Sequence, residues 1–99
     1  MANLFRVHPL VGDDLAAATG WYAGISMELG NRFRQSVNES LDRVELMPLS
    51  FGRVESELRV SRVDSFPYLL VFESDGKSTD LLGVFHSASD PQKWRGRKK

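Results

Sequence analysis

His86 ends an apolar run, Leu82-Gly83-Val84-Phe85, and is followed four residues later by Asp90-Pro91 and then by Lys93 and Trp94. A histidine at a strand end can take and return a proton near neutral pH, and arginines or lysines beside it can hold a phosphate. Cleavage of RNA by its own 2′-hydroxyl needs those parts: a proton acceptor, a donor for the leaving oxygen, and cations for the charge that develops. His86, Arg59, Arg62 and Lys93 are of the right types, provided the chain brings them together. The same histidine can instead bond to a neighbouring backbone group and fix the terminal turn. Arg59 and Arg62 can equally pair with Glu55, Glu57 or Asp64.

Nothing else in the chain has the spacing of a reactive centre. There is no cysteine, and the two histidines are 78 positions apart by number (8 and 86), so neither a thiolate nor a clustered imidazole metal site is expected. No phosphate-cradling glycine loop or nucleophilic triad is present, and no cofactor is implied. No apolar run is long enough to span a bilayer, and the N-terminus lacks the layout of a signal peptide. The reading is a chain of the cytoplasm with no membrane partner, and the lack of cysteine suits that compartment.

These residues must be positioned by one small domain, since 99 residues with 41% hydrophobic content support a single core. Alternation over residues 3 to 8 predicts a first strand, ended by Pro9. A helix capped at Gly12 or Asp13 follows, with Leu15, Ala18, Tyr22 and Ile25 on one stripe. Gly20 and Gly24 each weaken it by roughly 1 kcal/mol relative to alanine, so tertiary packing must hold it. Leu29, Phe33, Val37, Leu41 and Val44 mark a second helix closed by Pro48, and the short junction predicts an antiparallel helical hairpin.

Three strands complete the expected architecture: an alternating one through Leu58 and Val60, a continuous apolar one from Tyr68 to Phe72, and one from Leu81 to Phe85 after the Asp75-Gly76 turn. The alternating strand is expected to keep one face open, with Arg59 on it; the continuous one is expected to be buried on both faces. Residues 48 to 57 read as an irregular loop. Asp90 as cap and Pro91 at the first helical position predict a short C-terminal helix with Trp94 as an anchor. The fold class is therefore α+β: strand, antiparallel helical hairpin, three-strand antiparallel meander, short terminal helix, in one domain over 1–99. One core is expected from Leu15, Tyr22, Phe33, Val37, Leu41, Val60, Leu70, Phe72, Leu82 and Val84. His8 reads as a solvated loop residue.

Charge adds one asymmetry. The chain is formally neutral, yet residues 91–99 hold Lys93, Arg95, Arg97, Lys98 and Lys99 with no acid, leaving the rest net acidic. A nucleic-acid reading is thus invited only locally, beside the plainer one of a solvated basic terminus.

The order of these patterns resembles the RelE/ParE superfamily of bacterial toxins, nearer its ParE-like, plasmid-stabilisation branch. Asp14-Leu15 with Trp21-Tyr22 resembles the first helix of that family, and Leu29-Gly30-Asn31-Arg32-Phe33 the start of the second. Leu58-Arg59-Val60, Phe66-Pro67-Tyr68-Leu69-Leu70-Val71-Phe72 and Val84-Phe85-His86 resemble its last strands, and Asp90-Pro91 with Trp94 its tail. The resemblance implies a toxin of a type II toxin–antitoxin system, bound by a cognate antitoxin and inhibiting DNA gyrase by protein contacts. Trp21, Tyr22, Arg59, Arg62 and Trp94 are the partner-binding candidates under that reading. The alternatives are a ribosome-dependent messenger-RNA endoribonuclease of RelE type, for which His86, Arg59, Arg62 and Lys93 are the catalytic candidates, and an attenuated module that only binds its antitoxin. Ser89, where many relatives carry arginine, and the acidic body are departures from the family pattern.

Overall fold

The computed structural model describes residues 4–97. Strand β1 (Leu4–Val7) leads into helices α1 (Val11–Ile25) and α2 (Met27–Leu46), then a 3-10 turn at Pro48–Ser50. Strands β2 (Arg53–Glu55), β3 (Leu58–Arg62), β4 (Tyr68–Ser74) and β5 (Ser78–His86) follow, and helix α3 (Gln92–Arg95) ends the described chain. The sheet has the order β1-β5-β4-β3-β2, with β1 parallel to β5 and every other pair antiparallel. The expected order of elements and the α+β class are present.

The helical hairpin turns on one residue. Ser26 is extended, its backbone N–H caps α1 on Tyr22, and its hydroxyl accepts from Leu29 N–H at 3.0 Å to start α2. A serine is preferred there because its side chain satisfies an amide that the first turn leaves unpaired. Gly30 then lets the helices touch, since a Cβ on it would fall 2.9 Å from the Cβ of Ala23. Gly30→Ala is expected to cost about 1–3 kcal/mol by overpacking; a thermal melt equal to that of the wild type would contradict this contact.

Helix α1 starts earlier than a cap at Gly12 or Asp13 implies. It begins at Val11, and no side chain caps it through Leu10. Instead the His8 carbonyl accepts from Val11 N–H, and His8 Nδ1 accepts from Leu10 N–H at 3.1 Å. His8 is therefore a half-buried residue of the turn into the helix, not a solvated loop residue. Asp13 and Asp14 fall inside the first turn, where the helix dipole favours them.

Both faces of the sheet are covered, so the chain has two cores where one was expected. On the helix side Phe33, Val37, Val44, Leu70, Phe72, Leu81 and Val84 are buried, with Leu15, Tyr22 and Leu41 at the margin. On the opposite face Leu58, Val71, Leu82, Phe85 and Trp94 are buried together, with Val60 beside them. Val60 and Leu82 thus belong to the second core. The cause is the continuous apolar run in β4, which alternates Leu70 and Phe72 to one face and Val71 to the other. Strand β3 keeps neither face open: Trp94 closes the side of Leu58 and Val60, and on the other side Ser61 bonds Ser40 of α2.

Two further details differ from expectation. Residues 53–55, expected as loop, form the edge strand β2, paired to β3 with a register shift between Arg53 and Glu55. Strand β5 carries a bulge at Leu82, because Val71 pairs with Gly83 while Phe72 pairs with Leu81. The bulge lets Leu82 and Gly83 both face the terminal segment. Among the described residues no helix is long and apolar enough to cross a membrane.

Candidate functional site

The four residues suited to RNA chemistry are spread over two faces of the sheet. Tyr68 is in register with His86, and Arg62 with Leu69 and Phe85. Tyr68 packs with the helix-side core, Leu69 and Phe85 with the other. His86 and Arg62 therefore leave the same end of the sheet in opposite directions. Arg59 is opposite Phe72, four positions along β4 from Tyr68, roughly 13 Å at about 3.3 Å per residue. Lys93 is exposed on α3, over the face away from His86.

His86 is engaged in the terminal turn. Its Nδ1 accepts from Ala88 N–H at 3.0 Å, its carbonyl accepts from Ser89 N–H at 2.9 Å, and its ring meets Tyr68 edge-on at 5.2 Å between centroids. An accepting Nδ1 places the proton of the neutral ring on Nε2. Tyr68 continues into a cluster with Phe33, Phe66 and Tyr22, at centroid distances of 4.9–6.2 Å. Burial in that cluster raises the Tyr22 pKa above its ordinary value, so its phenol stays protonated at neutral pH.

The arginines do not pair as anticipated. Glu55 pairs with Arg95, Glu57 with Arg53, and Asp64 with Arg43. Arg59 points to the helix side, not to an open face, and donates through Nη1 to the Phe51 carbonyl. Its Nε is buried without an acceptor among the described residues. Arg62 is exposed.

The basic tail is part of the fold over the residues described, and Lys98 and Lys99 lie outside them. Asp90 Oδ1 accepts from Gln92 N–H at 2.9 Å, and α3 begins at Gln92 with Pro91 at the cap position, one residue later than an Asp90 cap predicts. Trp94 is buried in the second core, so this conformation does not present it to a partner. Arg95 makes a two-pronged contact with Glu55. Arg97 makes two bonds to Asp14, at 2.9 and 3.0 Å, donates to the Leu82 carbonyl at 2.9 Å, and stacks over Phe85 at 4.9 Å. Asp14 also accepts from Val84 N–H at 3.0 Å. Strand β1 ends opposite Leu81, and beyond it the ion pair takes over the exposed carbonyl and amide of β5. Hydrogen bonding to Asp14 raises the Arg97 pKa, against the opposing effect of burial, so its charge is permanent.

Sequence reasoning missed this pair because its partners are 83 positions apart. One signal was available: Gly83, where a Cβ would fall 2.7 Å from Arg97 Nη1 and 2.5 Å from the Phe85 ring.

The surface with the clearest unfilled capacity is the outer side of α1. Trp21 is 70% exposed, and Ala17, Trp21 and Ile25 follow one another at four-residue steps, leading to exposed Met27. Residues four apart share a helix face, so these form one apolar stripe. On the other flank of α1, toward α2, runs a groove of about 500 Å³ lined by Leu15, Ala16, Thr19, Gly20, Arg34, Val37 and Asn38. Tyr22, by contrast, turns inward to the aromatic cluster. The site is a docking face more than a reactive cleft, and no group of three or more metal-ligating side chains occurs among the described residues.

Known structures share this architecture. The chain superposes on a chain of the structure described as "Chromosomal ParDE TA system from P. aeruginosa" with a TM-score of 0.73 and 19% sequence identity, over 85% of this chain and 95% of that one. No protein-family model matches the sequence, and no curated protein matches it. The fold anticipated from the RelE/ParE resemblance is the fold the chain has.

Proposed function

We propose that this chain is the toxin of a type II toxin–antitoxin pair, ParE-like, neutralised by a cognate antitoxin and acting on DNA gyrase through protein contacts. The observation that carries the proposal is the shared fold with a chain of a ParDE toxin–antitoxin system over nearly the whole of both chains. The exposed stripe of Ala17, Trp21 and Ile25 supports it, because a contiguous apolar face on a small domain marks a protein-binding surface. An antitoxin helix laid along α1 over that stripe would cover it. Contact-based inhibition is favoured over RNA cleavage by the scatter of His86, Arg59, Arg62 and Lys93 over opposite faces.

One observation favours the RelE-type reading, namely that His86 is exposed at the strand end beside Tyr68. The test compares wild type and His86→Ala in a gyrase supercoiling assay and in cleavage of ribosome-bound messenger RNA. Gyrase inhibition by both proteins is the expected result, with the variant corrected for its folded fraction. A nuclease would instead lose activity on the order of 10²–10⁴ without its acid or base, and His86-dependent cuts with gyrase unaffected would overturn the proposal. Inactivity in both assays with tight antitoxin binding would identify the attenuated module.

A further inference from the structure

The turn between β4 and β5 contains a peptide link that is chemically weak in an open chain, that of Asp75 to Gly76. Glycine has no side chain to shield its amide nitrogen, so that nitrogen can attack the carboxyl carbon of the preceding aspartate. The new N–C bond closes a five-membered succinimide, and the broken C–O bond releases the carboxyl hydroxyl, which leaves as water with the amide proton. Water then reopens the ring. Opening at the backbone carbonyl leaves the chain running through the side-chain carbon, as isoaspartate. The reaction consumes nothing but the water it first releases, and Asp75 is exposed to water.

The folded turn opposes that attack at both reacting groups. Gly76 N–H donates to Ser74 Oγ at 3.0 Å, which keeps the proton on the nitrogen and fixes the plane of the peptide. Ser74 Oγ is itself held, donating to the Ser78 carbonyl at 3.0 Å and lying 2.8 Å from Thr79 Oγ1. Its one proton and two lone pairs are all engaged. On the other reactant, Asp75 Oδ1 accepts from Ser78 N–H and Lys77 N–H, both at 2.8 Å. Those two bonds favour the charged form and hold the Asp75 pKa below its ordinary value. An ionised carboxylate resists attack, because its oxygen leaves as water only after protonation. The labile pair stays in the chain for a conformational reason: Gly76 has φ +88°, which glycine adopts freely and other residues do not.

We propose that Asp75–Gly76 is a latent site of spontaneous isoaspartate formation, held shut by the native turn with Ser74 as its guard. The proposal is independent of the reading of the chain as a toxin. Its rate follows the fraction of time for which this end of the hairpin is open, since local opening frees the Gly76 amide and the Asp75 carboxylate together. The damage reaches the sheet. Asp75 N–H donates to the Ser78 carbonyl at 3.2 Å, and Ser74 is in register with Thr79, so the carbon that isoaspartate adds to the backbone falls inside a closed turn. The side-chain oxygen that bonds Lys77 and Ser78 is displaced at the same time.

The test incubates the folded chain, the same chain unfolded in guanidinium chloride, and the folded variants Ser74→Ala and Ser74→Thr at neutral pH. Isoaspartate at position 75 is followed by peptide mapping, in which the succinimide is lighter than the parent by one water and the isoaspartyl peptide has the parent mass with a shifted retention. The unfolded chain is expected to isomerise fastest and the folded wild type slowest. Ser74→Ala, checked for folding by circular dichroism, is expected to exceed wild type by at least about threefold, the order of effect that one hydrogen bond carries. Ser74→Thr keeps the hydroxyl and is expected to stay near wild type. Equal rates in the folded and unfolded wild type would overturn the proposal, and that comparison needs no variant to fold. A folded Ser74→Ala that isomerises no faster than wild type would overturn the part given to Ser74.

Discussion

Phe33→Ala is expected to leave little folded protein at physiological temperature. Phe33 is fully buried and meets Tyr22, Phe66 and Tyr68 at ring-centroid distances of 5.1–5.2 Å. It is the point where α2, the β3–β4 turn and the start of β4 converge. Truncating a buried phenylalanine removes its transfer energy and leaves a cavity that the neighbours fill incompletely, at about 3–5 kcal/mol. A domain of this size is stable by about 5–15 kcal/mol, so the loss is more than half of the lower figure and can equal it. Since 1 kcal/mol corresponds to roughly 4–8 °C in a domain of 60–100 residues, the melt should fall by more than about 12 °C. A shift of only a few degrees would contradict the placement of Phe33 at the centre of the core.

Asp14→Ala should be comparably damaging, for a different reason. The side chains of Asp14 and Arg97 are each only 15% exposed. Removing one partner of this partly buried pair leaves the other charge without its counter-ion, at up to about 3–5 kcal/mol, and here it also strands the Val84 amide that donates to Asp14. The tail should then detach, since Arg97 is held by Asp14, Leu82 and Phe85 together. Double-variant cycles isolate the coupling: Asp14→Ala with Arg97→Ala should be less destabilised than the sum of the two single variants. Additive losses, or an Asp14→Ala melt within about 4 °C of wild type, would refute the latch. For the same reason deleting residues 91–99 would remove Trp94 and Arg97 from the fold. The role of the tail in target inhibition is better probed at exposed Lys93.

How much of the fold is legible in the sequence depends on the range of each interaction. Local periodicity is enough for the helical hairpin, because Leu29, Phe33, Val37, Leu41 and Val44 repeat along one face whatever they pack against. The continuous run from Tyr68 to Phe72 likewise announces a strand buried on both sides, and Asp90-Pro91 announces a helix start through bonds within two residues. What covers the second face is not legible, since an exposed-looking alternation of Leu58 and Val60 becomes a core only when Trp94 arrives from 34 residues further on. Arg59 faces inward for that reason: once Leu58 and Val60 face the tail, Arg59 and Ser61 must face the helices, where Ser61 bonds Ser40 at 2.7 Å.

The candidate site divides in the same way. Residue types mark His86, Arg59, Arg62 and Lys93 as able to do chemistry, and Trp21 as able to bind, because those capacities belong to single side chains. Whether capacities combine is a matter of direction in space. Strand pleat sends His86 and Arg62 to opposite faces, and the sheet register spaces Arg59 away from Tyr68. The 83-position Asp14–Arg97 contact draws the basic tail into the core. The exposure of the α1 stripe is also a tertiary fact, because apolar residues carry the same sequence signal whether a neighbouring element covers them or leaves them to a partner.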